Sequence, residues 1–241
     1  MLVVPGDEEL ESQIEGIASL REPLRRALYL FVARAGRDVS REEAAEGVGV
    51  GRSLAAFHLD KLADEGLLDT AFRRLSGRTG PGAGRPSKLY RRSRRQLQVS
   101  LPSRNYELAA SLLAEAVATA GEALSPLEAL HDAAATLGVR IGERAQVKPL
   151  GRSRDARLAK VLEVLEEYGF EPYREGRTLY LRNCPFHALV EQHPDLVCSM
   201  NHALVQGVLS GLRATGLDAL LAPAPGRCCV AIAADAGSRR R

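Results

Sequence analysis

Ser40-Arg41-Glu42-Glu43-Ala44-Ala45 leads into Gly47-Val48-Gly49-Val50 and then into Arg52-Ser53-Leu54-Ala55-Ala56-Phe57-His58-Leu59-Asp60-Lys61-Leu62. Ser40 followed three residues later by Glu43 is a capping box. In such a box the hydroxyl accepts from a first-turn amide, and the carboxylate reaches back to the amide of the serine. Glu42 and Glu43 also suit the positive end of the helix dipole. The first helix is short and is expected to stop at Gly47, where glycine can take a left-handed turn. A second helix is expected from Gly51 or Arg52. Leu54, Ala55, Phe57, Leu59 and Leu62 would supply its buried face, with Arg52, Ser53, Ala56, His58, Asp60 and Lys61 turned outward. Gly66 ends it, and Leu67-Leu68 begins a strand.

Beyond that strand the chain changes character. Residues 71–104 hold ten Lys or Arg and no acid. Setting those ten aside leaves 23 basic residues against 30 acidic ones, so the net +3 conceals an acidic body with one concentrated basic stretch. Phosphate binding calls for that asymmetry. Residues 77–86 are too rich in Gly and Pro for a helix or a central strand. Arg73-Arg74 before them and Lys88-Leu89-Tyr90-Arg91 after them can pair as two strands, a hairpin with Arg78 and Arg85 at its tip. Arg52, Ser53, Ala56 and His58 then suit base edges of double-stranded DNA. Lys61, Arg78, Arg85 and Lys88 suit its phosphates.

Two stretches carry a family resemblance here: Val50-x-Arg52-Ser53-x4-His58-Leu59-x2-Leu62-x3-Gly66-Leu67, and Gly84-Arg85-Pro86-x-Lys88-x-Tyr90. Together they resemble winged-helix bacterial regulators of the broad ArsR/DeoR-like kind. The resemblance covers about the first hundred residues. It implies a winged helix-turn-helix.

The 241 residues suit two domains. Their 45% hydrophobic content is enough for packed cores, and few aromatics beside many Ala, Leu and Arg favour helices. No apolar run reaches the roughly 18 residues that span a membrane. The start Met1-Leu2-Val3-Val4-Pro5 lacks the charged region and apolar core of a signal peptide, so a cytoplasmic location is expected. Four cysteines in such a chain point to reduced, ligating or reactive thiols.

In order, residues 1–15 read as a ragged acidic start. A helix is expected over 20–35, with Leu24, Ala27, Leu28, Phe31 and Val32 inward. The first domain is set at 1–96. Residues 97–145 read as a linker and a helical region, with helices over 106–123 and from Pro126 to about residue 144. The stripe of Leu108, Leu112, Leu113, Ala116 and Val117 suits either a homodimer contact, matching a two-fold DNA site, or packing within its own domain. Residues 146–241 form the last domain. It has a helix over 155–168 with Leu158, Val161, Leu162 and Leu165 inward, and strands over 170–173 and 178–182. A helix over 195–212, a loop over 216–226, a strand over 227–232 and a disordered basic tail over 236–241 follow. The fold class is α+β: a winged helix-turn-helix domain, then an α+β sensor domain with a small, mainly antiparallel sheet.

All four cysteines, Cys184, Cys198, Cys228 and Cys229, fall in the last quarter, with His187, His193 and His202 among them. Thiolate and imidazole are ligands for zinc, iron and iron–sulfur centres. Cys184 and His187 have the spacing of a two-residue knuckle, and Cys198 and His202 are one helical turn apart. Cys228 and Cys229, as neighbours on a strand, would face opposite ways, so one of them would join a site with Cys184 and Cys198. Buried cysteines also serve as small apolar core residues.

Asn183-Cys184-Pro185-Phe186, Pro194-x2-Val197-Cys198-x2-Asn201, Gly207-x3-Gly211 and Gly226-x-Cys228-Cys229-Val230 resemble the sensor half of SufR-type iron–sulfur-responsive repressors. That resemblance implies a homodimer in which Cys184, Cys198 and Cys228 or Cys229 hold an iron–sulfur cluster. The lack of a further cysteine between Cys198 and Cys228, and His187 three residues after Cys184, leave the fourth ligand open. They also leave room for a single zinc or iron ion. A small organic ligand, or a thiol redox switch without metal, is the alternative. No Walker loop, Gly-x-Gly-x-x-Gly or His-Glu-x-x-His occurs, and catalysis is not expected.

Overall fold

The computed structural model describes residues 7–74, 86–146 and 153–234. The fold is α+β, with nine helices and two small antiparallel sheets among those residues. The chain parts between Val99 and Ser100 into two compact units, each with its own core. No helix among the described residues is long and apolar enough to cross a membrane.

The first unit starts with α1 (Asp7–Ser19), where the sequence suggested a ragged start. Its helical form depends on contacts made far along the chain. The Gln13 carboxamide accepts from the Gln98 amide at 3.0 Å, and Gly16 lets the Leu97 side chain come close. Next come α2 (Pro23–Ala35), capped by the Glu22 carboxylate, and the two-residue β1 (Val39–Ser40). The Ser40–Glu43 capping box is formed in full at the start of α3 (Arg41–Val48). That helix runs through Gly47 and ends at Gly49, whose φ is +74°. Gly47 is glycine for another reason: a Cβ there would fall 2.1 Å from the Phe31 ring.

After the turn, α4 (Arg52–Asp64) leads into β2 (Leu68–Arg73) and β3 (Ser87–Arg92). The sheet order is β1-β3-β2, with Val39 opposite Tyr90 and Leu68 opposite Arg92. Leu28, Val32, Val39, Leu59, Leu62 and Tyr90 form its fully or nearly fully buried centre. The hairpin tip, with Arg78 and Arg85, and the tail 236–241 lie outside the described residues.

The second unit contains α5 (Tyr106–Thr119) and α6 (Pro126–Ala145), which share one core with everything after them. The α5 stripe is largely taken up within this unit. Leu108, Ala109, Leu112 and Ala116 are buried, and Val117, expected in the stripe, is exposed. Then come α7 (Arg154–Glu167), β4 (Pro172–Glu175), β5 (Thr178–Leu181), the short α8 (His187–Gln192), α9 (Pro194–Gly211), β6 (Leu217–Leu221) and β7 (Val230–Ala234). The sheet order is β4-β5-β7-β6, antiparallel throughout. β6 replaces the expected loop. The flanking Gly216 and Pro223 read as turn signals, but Leu217–Leu221 gains its ladder from β7.

Helices α6 and α9 meet through glycines. A Cβ on Gly138 would lie 2.2 Å from the Leu204 carbonyl oxygen, and one on Gly207 2.3 Å from that of Ala135. Gly142 and Gly211 repeat the arrangement one turn on. Small residues let the two backbones touch directly, so the sheet and the cysteine-bearing end of α9 rest on a rigid pair.

Candidate functional site

The phase of α4 decides which of its residues can meet a partner. Ala55, His58, Leu59 and Leu62 form its buried face. Ala55, Leu59 and Leu62 repeat at intervals of four and three and fix that phase. Leu54 and Phe57, expected inside, are 47% and 56% exposed. His58, expected to face DNA, is instead buried, with Nδ1 3.7 Å from the Glu22 carboxylate that caps α2. It takes no part in an outer face. Arg52, Ser53 and Lys61 are exposed and Ala56 is half-buried, as the outward pattern requires. Arg52 pairs with Glu42 of α3.

Two more outward assignments change. Asp60 and Lys88 belong to a half-buried cluster that ties α4 to the hairpin. The Asp60 carboxylate accepts from Lys88 Nζ at 2.6 Å, from the Tyr90 hydroxyl at 2.6 Å, and from Arg41 Nη2 at 2.8 and 3.1 Å. Arg41 Nε donates to the same hydroxyl at 2.8 Å. Burial works against the Asp60 charge, but the bonds from Lys88, Tyr90 and Arg41 outweigh it and hold the carboxyl below its usual range. Lys88 is thus a brace on the carboxylate, not a free phosphate contact. Arg73 and Arg91 make longer ion pairs with Asp38 and Asp69, while Arg74, Arg92 and Arg94 are exposed. Arg104, counted with the basic stretch, belongs to the second unit.

In that unit, Cys184 follows β5, Cys198 lies on α9, and Cys228-Cys229 sit in the turn before β7. Both are buried, Cys228 against Cys184 and Cys229 against Cys198, so both members of the pair, and not one of them, join the group. All four thiols are free, and each interacts with a neighbour: Cys184 with Cys228, Cys228 with Cys229, and Cys229 with Cys198. Contact with Cys228, then burial, pushes the Cys184 thiol far above its usual range. Cys184 lowers the Cys228 value, but Cys229 and burial raise it further, to about 12. Burial also raises Cys198. The backbone amides of Phe186 and Val230 donate to the sulfurs of Cys184 and Cys228.

Among the described residues no three Cys, His, Asp or Glu side chains stand together as a ready ligand set. The thiols are neighbours in pairs. The donor chemistry suits a thiophilic cation, with amide hydrogen bonds to sulfur of the kind that tune cluster potentials. His187 is not among the donors: its Nε2 lies 3.4 Å from Glu191 on the exposed side of α8. His202 Nε2 meets the Ala219 carbonyl oxygen at 3.0 Å.

No family model, curated protein or solved structure matches this chain.

Two asparagines, Asn183 and Asn201, complete the surroundings of the thiols. Asn183 Nδ2 donates to the carbonyls of Ser103 at 2.7 Å and Gly169 at 2.6 Å, and its Oδ1 accepts from Arg104. Arg104 also donates to the Cys184 carbonyl at 3.3 Å, so the two residues fix the loop that carries this thiol. Asn201 is fully buried, and its Nδ2 donates to Cys228 Sγ at 3.2 Å. Its Oδ1 has no hydrogen-bond partner, which is costly in a buried site. A buried Asn one turn beyond Cys198 was the available sequence signal.

Proposed function

We propose that this chain is a DNA-binding transcriptional regulator. In this reading the first unit is a winged helix-turn-helix and the second a thiol-based sensor. One observation carries it: α4 buries 55, 58, 59 and 62, which turns Arg52, Ser53, Ala56 and Lys61 outward, beside a hairpin whose arms bear Arg73, Arg74, Arg91 and Arg92. Helix, turn, helix and basic hairpin in this order suit a helix laid in the major groove with phosphate contacts beside it. A homodimer would match a two-fold operator. Anisotropy titrations with a random-core duplex pool at several salt concentrations test this. Tight binding that falls steeply with salt is expected. Failure to bind any duplex would overturn it.

For the second unit, the residues that would hold an iron–sulfur cluster or a single zinc or iron ion are Cys184, Cys198, Cys228 and Cys229. Their gathering from three separate segments, and the orphaned Asn201 oxygen beside them, support that reading. When bound, such a group supplies redox- or metal-dependent control of the fold around it. Anaerobic purification with elemental analysis and a visible spectrum tests it. Cys184→Ser should lose the metal, and equal content in both proteins would remove the site.

Pairwise contact of the thiols also favours a second reading, a metal-free redox switch through a Cys184–Cys228 or Cys198–Cys229 disulfide, which mass spectrometry of oxidised protein would show. One apolar cavity of the second unit, lined by Ile141, Val164, Tyr168, Phe170, Leu204 and Val208, is about 10 Å³, room for about one water and too small for an organic ligand.

A further inference from the structure

We infer that Phe57, with Leu54 beside it, reads the C5-methyl groups of thymines in the DNA site. The inference rests on the DNA-binding reading above and adds a base preference to it. Positions 53, 57 and 61 are four residues apart and form one row on α4, on the side away from the buried face at 55, 58, 59 and 62. Phe57 lies in the middle of that row, between exposed Ser53 and exposed Lys61, and Leu54 is one turn before it on the adjacent row. At 56% and 47% exposure, these two apolar side chains are left largely unpacked by their own unit. Their surroundings identify the occupant. Arg52 starts the helix, Lys61 follows Phe57 by one turn, and the adjoining hairpin carries Arg73, Arg74, Arg91 and Arg92. The acids nearby are matched, Glu42 by Arg52, Asp38 by Arg73, Asp69 by Arg91 and Asp60 by Arg41 and Lys88, which leaves Asp64 at the far end of the helix as the exposed acid on that side. An apolar spot within cations does not suit an apolar protein partner, which would have to bury those charges. It does suit the major groove, where phosphates meet the cations and the thymine methyl is the apolar group that an aromatic or aliphatic side chain can cover.

The test starts from duplexes enriched by the full-length protein from a random-core pool. Each is remade with deoxyuridine in place of thymidine, which removes the methyl and keeps the pairing edge. Wild type should lose about fourfold in affinity for each contacted methyl, the loss expected for one buried methyl-sized group. Phe57→Ala should bind both duplexes with a ratio near one, and Phe57→Leu should keep part of the discrimination. Phe57 is exposed, so these variants should keep the wild-type melting temperature. Equal wild-type affinity for thymidine and deoxyuridine duplexes would overturn the inference and leave DNA binding standing. No enrichment of any duplex would overturn both.

Discussion

The Tyr90 hydroxyl donates to the Asp60 carboxylate at 2.6 Å, across 30 residues of sequence, and joins the middle of β3 to α4. Arg41 and Lys88 bind the same carboxylate, so three elements share one anion. Asp60→Asn removes the charge and keeps the size. It should cost about 1–3 kcal/mol, since hydrogen bonds to charged groups of this kind contribute about that much. Urea unfolding of the first-unit transition measures it, and an unchanged midpoint would mean that the cluster is incidental.

The same carboxyl predicts an acid limb. Its value is lowered in the folded chain, so the folded state binds the proton less readily than the unfolded one. The stabilisation is fully present above the unfolded value of roughly 3.9 and is lost as pH falls below it towards the folded value. Wild type should therefore lose more stability than Asp60→Asn between about pH 4 and lower values. Parallel acid titrations followed by circular dichroism give the comparison.

The glycine contact between α6 and α9 makes a sharper prediction. In Gly207→Ala the new methyl would lie 2.3 Å from the Ala135 carbonyl oxygen, in a place where backbone and not a flexible side chain must give way. A loss of about 1–3 kcal/mol is expected from overpacking. Gly121→Ala meets nothing within 4 Å and should stay within about 0.5 kcal/mol of wild type. Equal melting temperatures for the two variants would contradict the packing.

Burial and their neighbours keep Cys184 and Cys228 as neutral thiols near pH 7 in the metal-free chain. A cation binds the thiolate, so zinc loading should release protons and tighten as pH rises. Titration of metal-free protein with zinc in weak buffer and a pH indicator reads the release directly. Loading without acidification would show that the ligands are not these thiols.

On the proposed DNA face, Arg52 and Arg92 should fail in different ways. Arg52→Ala, at the start of α4, should weaken an enriched site by about 1–3 kcal/mol and relax its sequence preference. Arg92→Ala, on the hairpin arm, should weaken all duplexes alike and reduce the salt slope by about 1. Identical patterns for the two variants would put them in the same role.

Local chemistry was the part of this fold most readable in the sequence. The Ser40–Glu43 box, the start of α6 at Ser125-Pro126, and the β4–β5 hairpin all follow from residues within a few positions of each other. The misreadings came from distant partners. α1 has acids in its first turns and holds its place through Gln98 and Leu97. β6 is a strand because β7 lies beside it. The phase of α4 was misjudged because Phe57 outweighs Ala55 on any hydrophobicity scale, yet the close-packed side needs the small residue, and His58 fills the remaining space. In the thiol cluster the cysteines were visible at once. Asn183, Arg104 and Asn201 act through contacts that only the fold creates, and His187 is turned aside by the short helix α8, where it meets Glu191.

The ion pair between Arg52 and Glu42 bears on any polyanion that approaches α4. The guanidinium is already answered by a carboxylate one helix away, so an incoming phosphate or base must displace a tethered rival before it gains anything. Affinity measured at that arginine is then an exchange between two anions. Removing the rival, as in Glu42→Gln, should strengthen a polyanion's hold without adding a single new contact.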